Sequence, residues 1–189
     1  MSTDTMKKPR VATVWLDGCS GCHMSLLDLD ERLFTLADAV DIVCSPIVDP
    51  KVFPDYVDLC IVEGAVSTHE EVEKARLIRA RSKMVISLGD CAVTGNVPAM
   101  RNAYEVEALF QRAYVENAEY PETPEERKLK LPVLHVPEHE RIARPLHEII
   151  PVDLFVPGCP PPADAIWMVL TEILAGRVPD PTKLTRFGK

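Results

Sequence analysis

Six cysteines stand in this 189-residue chain, and four of them have neighbours that suggest chemistry. Cys19 and Cys22 form a CxxC in Asp17-Gly-Cys-Ser-Gly-Cys22, Cys91 lies in Gly89-Asp-Cys91, and Cys159 lies in Pro157-Gly-Cys-Pro160. Each follows a run that patterns as a β-strand. Four thiolates from three loops can hold an iron–sulfur cluster or a zinc ion. A CxxC by itself also fits a thioredoxin-like dithiol, but that leaves Cys91 and Cys159 without a role. Structural zinc usually draws on two paired knuckles, whereas this chain has one CxxC and two distant single cysteines. The glycines beside the cysteines allow backbone to approach a bulky group and leave N–H groups free to bond its sulfurs. Cys44 and Cys60 differ: they lie within strand-like apolar runs, where a thiol acts as a small hydrophobe.

The elements that must position these residues alternate in type. Strands are expected over 11–16, 41–45, 58–62, 83–88 and 153–156, with a short edge strand at 134–136. Helices are expected after the first strand, on the spacing Leu26, Leu29, Leu33, Leu36 and Val40, and over 70–81. Tyr104 to Glu116 can form a further helix. A last helix opens at Pro161 and Pro162, stops at Gly176, and turns Ile166, Val169, Leu170 and Ile173 to one side. Such alternation predicts a doubly wound parallel α/β sheet. In an open parallel sheet ligands bind beyond the carboxyl ends of the strands, where all four loop cysteines fall. Residues 1–10 form a polar tail, 11–176 the domain and 177–189 an extended C-terminal tail. The polar stretch Glu119 to Pro132 is expected to be a surface excursion.

Bulk properties narrow the function. The formal charge of −8 opposes nucleic-acid binding, which needs cations against phosphates. No apolar run reaches membrane-spanning length, and Val11 to Leu16 is too short for a signal peptide's apolar core. A cytoplasmic chain is expected, in which disulfides are disfavoured. The sequence contains no GxGxxG or P-loop for a nucleotide, and His69, His135, His139 and His147 have no metal-binding spacing. Glu63 is placed to approach the cysteines or to accept backbone N–H groups. His23 is expected at the surface, Trp15 and Trp167 in the core or an interface, and Asp17 and Asp90 in turns.

Cys19-Ser-Gly-Cys22 with Ser25, Glu63-Gly-Ala-Val66, Gly89-Asp-Cys-Ala92 with Gly95, and Gly158-Cys-Pro-Pro161 resemble the small subunit of nickel–iron hydrogenases, in family order from residue 11 to about 176. The resemblance implies a flavodoxin-like single domain. It implies that Cys19, Cys22, Cys91 and Cys159 bind one [4Fe–4S] cluster, the one proximal to the nickel–iron centre of a large subunit. No cysteine follows Cys159 to serve further clusters, and no twin-arginine signal is present. The form most resembles the small subunit of cytoplasmic, NAD-reducing, bidirectional enzymes. The related complex I subunit carries a tandem Cys-Cys where this chain has CxxC, and F420-reducing relatives add a ferredoxin-like segment. The implied role is electron transfer within a hydrogen:NAD+ oxidoreductase. Hydrogen is split on the large subunit, and electrons leave to neighbouring iron–sulfur and flavin diaphorase subunits. The two CxxC pairs that hold nickel and iron in the large subunit are absent from this sequence.

Overall fold

A computed structural model of the chain describes residues 7–117, 123, 125, 131–132 and 134–188. The first element, β1 (Arg10–Trp15), is rich in β-branched residues and buried along most of its length. Two helices follow, α1 (Gly21–Leu27) and α2 (Arg32–Ala39), where the apolar spacing predicted one. The break falls at Asp30, whose φ of 51° is left-handed. A short polar side chain tolerates that conformation, and the period of Leu26, Leu29 and Leu36 survives the turn because all three still reach the same core.

Strand β2 (Asp41–Cys44) and strand β3 (Val57–Glu63) precede a three-residue strand, β4 (Val66–Thr68). Helix α3 (His69–Arg81) starts at a capping box: Thr68 accepts the Glu71 N–H at 3.2 Å and the Glu71 carboxylate accepts the Thr68 N–H at 3.1 Å. Then come β5 (Ser82–Leu88), two short helices α4 (Gly89–Thr94) and α5 (Asn96–Ala99), and α6 (Val106–Phe110), which runs on as a π-helical turn to Glu116. Strand β6 (His139–Arg144), strand β7 (Leu154–Val156) and helix α7 (Ala163–Leu174) follow, with short 3-10 turns at Met100–Ala103 and Leu146–Glu148.

Five strands form one parallel sheet in the order β2-β1-β3-β5-β7. Counted within the sheet this is the flavodoxin-like order, with its switch point between β1 and β3. Alternate strand residues point to opposite faces. Val11, Leu59, Ile61, Ile86 and Val156 meet α1, α2 and α7, while Ala12, Val14, Cys60, Val62 and Val85 meet Val72, Ala75 and Ile78 of α3. Both faces are therefore covered, as a parallel sheet requires.

The edge pairing is made by different residues from those expected. Leu134 to Val136 forms bends, and β4 pairs antiparallel with β6 instead. Three-residue β4 carries too little pattern to be found, and its partner lies more than 70 residues away along the chain. Arg101 and Asn102 fasten the pair: the Arg101 guanidinium donates to the carbonyls of Ser67, Glu140 and Arg141, and Asn102 bonds both backbone groups of Ala143. The tail is not extended throughout. It makes a 3-10 turn at Pro181–Lys183, where Asp180 accepts the Thr182 N–H, and it buries Thr185. The expected excursion over 119–132 lies largely outside the described residues. No helix among the described residues is long and apolar enough to cross a membrane.

Candidate metal centre

Three loops deliver the four cysteines, each leaving the carboxyl end of a sheet strand. The first joins β1 to α1 and carries Cys19 and Cys22. It is clamped to the turn after β3: the Leu16 N–H donates to Glu63 O at 2.9 Å, and Asp17 and Ala65 exchange N–H to carbonyl bonds of 3.0 and 2.6 Å. Gly64 makes this fit possible. Its φ is 90°, and a Cβ there would lie 2.6 Å from the Leu16 carbonyl carbon. The second loop is the entry into α4, where Cys91 sits. The third follows β7 and carries Cys159.

The loops are tied to one another as well. Ser25 donates through Oγ to Pro161 O, joining α1 to the Cys159 loop. Asp90 N–H donates to Gly158 O at 2.8 Å, and Asp90 Oδ1 accepts the Gly158 N–H at 2.7 Å. Asn96 Nδ2 lies 3.4 Å from Cys159 Sγ, directed at the sulfur as a donor. Cys19 and Cys159 are exposed, Cys22 and Cys91 partly buried, and all six thiols are free. Cys44 and Cys60 are buried within their strands, at a remove from the loops, as their apolar neighbours predicted.

The thiols sense each other. Burial pushes the Cys22 thiol far above its ordinary range, and the charges of Glu63, Cys91 and Cys19 push in the same direction. Burial likewise raises Cys91, with Cys159 and Cys19 adding to it. Cys22 and Cys91 therefore resist ionising unless a cation compensates them, and iron bound to sulfur would supply that charge. The surrounding backbone leaves room on the same side. A Cβ on Gly89 would sit 2.2 Å from Cys22 Sγ, and one on Gly21 would sit 3.2 Å from Cys19 Sγ. Soft sulfur donors, lined by glycine, fit an iron–sulfur cluster. Among the described residues no three His, Cys, Asp or Glu side chains gather closely enough to ligate one metal ion.

His23 is not at the surface. It is 1 % exposed, packed under the CxxC turn. Its backbone N–H donates to Glu63 Oε2 at 2.8 Å, and its Nε2 lies 2.9 Å from Thr13 Oγ1, which in turn lies 2.6 Å from Ser45 Oγ. His23 Nδ1 is 3.0 Å from Glu63 Oε2, a close contact out of line for a hydrogen bond. Trp15 stands edge-on to the imidazole at 5.2 Å. The sequence missed this placement because α1 begins one turn earlier than its apolar spacing implies, which rotates His23 under the sheet edge. Glu63 accepts backbone N–H, as one of its two expected roles required, and also borders Cys22. Asp90 does more than make a turn, since both its oxygens are engaged.

This fold and this arrangement of loops define an α/β redox-subunit class, and comparison with known proteins places the chain within it. Residues 19–173 match the family described as NADH ubiquinone oxidoreductase, 20 Kd subunit, and the chain belongs to that family. Within the family it is 40 % identical, over 95 % of its length and 86 % of the relative's, to the NAD-reducing hydrogenase HoxS subunit delta of Cupriavidus necator. It is 36 % identical over 90 % of its length to a subunit of the F420-non-reducing hydrogenase of Methanothermobacter marburgensis, of which it spans 54 %. A chain in the crystal structure of an NAD+-reducing [NiFe]-hydrogenase in the H2-reduced state superimposes with a TM-score of 0.88, at 37 % identity, covering 96 % of this chain and 99 % of that one.

Proposed function

We propose that this chain is the electron-transfer small subunit of a nickel–iron hydrogenase that couples hydrogen oxidation reversibly to NAD+ reduction. In this reading Cys19, Cys22, Cys91 and Cys159 hold one [4Fe–4S] cluster. The observation that carries it is the convergence of these four cysteines, from three loops, at the carboxyl edge of one parallel sheet. Likeness over nearly the whole chain to a subunit of an NAD-reducing hydrogenase supports the wider assignment. One CxxC joined by two distant single cysteines suits an iron–sulfur group better than a zinc ion, which usually draws on paired knuckles.

When bound, the cluster supplies one-electron storage at a site without hydrogen chemistry of its own. The residues of this chain do the rest. The cysteine loops fix the position of the group at the molecule's edge. Asn96 directs an N–H at Cys159 Sγ, and hydrogen bonds to ligating sulfur tune potential. Exposure of Cys19 and Cys159 leaves the site open to a partner, and a large subunit carrying nickel and iron is the proposed one. Val97 and Met100 are 61 and 73 % exposed beside the Cys91 loop, an apolar rim of the kind a permanent interface covers. Neighbouring iron–sulfur and flavin diaphorase subunits would take the electron onward in the cytoplasm.

The test is a complex carrying Cys91→Ser in this chain. Hydrogen-dependent NAD+ reduction should be lost while NADH-dependent dye reduction by the diaphorase persists. Undiminished hydrogen-dependent NAD+ reduction would remove the chain from the electron path.

A further inference from the structure

Asp90 stands next to Cys91 and is only 5 % exposed, with its carboxylate bonded to backbone N–H groups. Its Oδ1 accepts the N–H of Gly158, the residue before Cys159, at 2.7 Å. Its Oδ2 accepts the N–H of Gly188 at 2.9 Å, nearly 100 residues along the chain. Its own N–H donates to Gly158 O, and its carbonyl accepts the Thr94 hydroxyl at 2.8 Å. One buried carboxylate thus joins the Cys91 loop, the Cys159 loop and the C-terminal segment. That segment is held a second time, where Thr185 donates through Oγ1 to Pro157 O. The Thr185 hydroxyl also presses on Gly158: a Cβ at that glycine would come within 2.7 Å of it.

We propose that Asp90 is a positioning residue for the cluster and that segment 181–188 is a strap acting through it, setting the distance between the Cys91 and Cys159 ligands. The proposal rests on the assignment of those cysteines as ligands. Charge-assisted hydrogen bonds are the strong ones, and here two of them converge on one buried group between the second and third cysteine loops. The first loop does not need the strap, since Ser25 and the Gly64 turn already hold it. An amide at position 90 can accept from only one of the two N–H groups and must direct its own N–H at the other. Asp90→Asn is therefore a small change in shape with a specific consequence.

The experiment uses the full chain, loaded anaerobically with iron and sulfide. It follows loss of the visible absorption to a ferrous chelator, together with the reduction potential and low-temperature EPR of the reduced cluster. Asp90→Asn should lose iron roughly tenfold faster than the unaltered chain and should broaden or shift the EPR signal. A chain ending at Arg186, which lacks the Gly188 N–H and keeps Asp90, should change in the same direction. The two changes combined should be no worse than Asp90→Asn alone, because both act through one carboxylate. Unaltered release rate, potential and EPR in both single variants overturn the proposal, as does full additivity in the double variant. If Asp90→Asn does not fold, the shortened chain decides alone. Failure of the unaltered chain to take up iron would instead defeat the ligand assignment, and is thereby distinguished.

Discussion

At the scale of single residues the four loop cysteines differ from the two strand cysteines in both exposure and surroundings: the loop thiols are exposed or partly buried, the strand thiols buried. Cys22 and Cys91 border other thiols, whereas Cys44 and Cys60 pack against valine and alanine. Serine at position 19, 22, 91 or 159 should lower bound iron sharply and change the EPR of whatever cluster remains. Cys60→Ser should leave iron content unchanged and reduce thermal stability by about 1–3 kcal/mol, the cost of burying a hydroxyl in an apolar site. Loss of iron on Cys60→Ser with retention on Cys91→Ser would reverse the assignment. Glu63 carries a separate expectation. Glu63→Ala strands the buried His23 N–H, so a loss of about 1–3 kcal/mol should appear in chemical denaturation. Glu63→Gln keeps an acceptor and should lose less. The placement of the four loop cysteines past strand ends was legible because glycine and strand ends mark those positions in sequence. His23 was not, since its burial depends on the turn at Ser20, whose φ of 66° no apolar period announces.

At the scale of elements, the junction of α3 with β5 and β7 offers a clean test of electrostatics. Arg79 donates to Asp153 Oδ2 at 2.6 Å and to the carbonyls of Ser82, Lys83 and Pro151, and Asp153 Oδ2 also accepts the Val85 N–H at 2.7 Å. Burial pushes the Asp153 carboxyl up, but the Arg79 and Val85 hydrogen bonds outweigh it and hold it below the usual carboxylate value. The folded state therefore releases this proton more readily than the unfolded one. Its contribution is complete above the ordinary carboxylate value and is lost as pH falls through the lowered folded value. Asp153→Asn should remove about 1 kcal/mol at neutral pH, a modest figure because the pair is partly solvated. The difference from the unaltered chain should shrink in acid. A difference independent of pH would contradict the account. Helix α3 should lose about 1 kcal/mol with Thr68→Ala, which removes the cap that accepts the Glu71 N–H.

The elements also show where sequence patterning reaches its limit. The five sheet strands were legible because buried parallel strands are continuous apolar runs. Helices α4 and α5 were not, for the segment from Gly89 to Ala99 is too short and glycine-broken to show a helical period. The β4–β6 pair was hidden by its distance along the chain, and the tail by its dependence on Asp90 and Pro157 as tertiary partners.

At the scale of the whole molecule, the sheet gathers the three cysteine loops at one end and leaves Cys19 and Cys159 uncovered there. A surface of that kind belongs in an assembly. Hydrogen–deuterium exchange with and without the large subunit should show protection gained in 17–25, 90–100 and 157–163; protection confined to other segments would put the partner on the wrong face. The loaded chain alone should neither evolve nor consume hydrogen, since it lacks the paired CxxC set for nickel and iron, and hydrogen-dependent dye reduction by the isolated chain would refute this. The most direct measurement is iron and acid-labile sulfide content, with visible absorption and low-temperature EPR, on anaerobically prepared protein beside its Cys91→Ser variant. The account predicts about four irons and four sulfides per chain, a brown colour, and an EPR signal on reduction, all lost or severely reduced in the variant. A colourless protein carrying one zinc ion, or iron retained unchanged in Cys91→Ser, would contradict it.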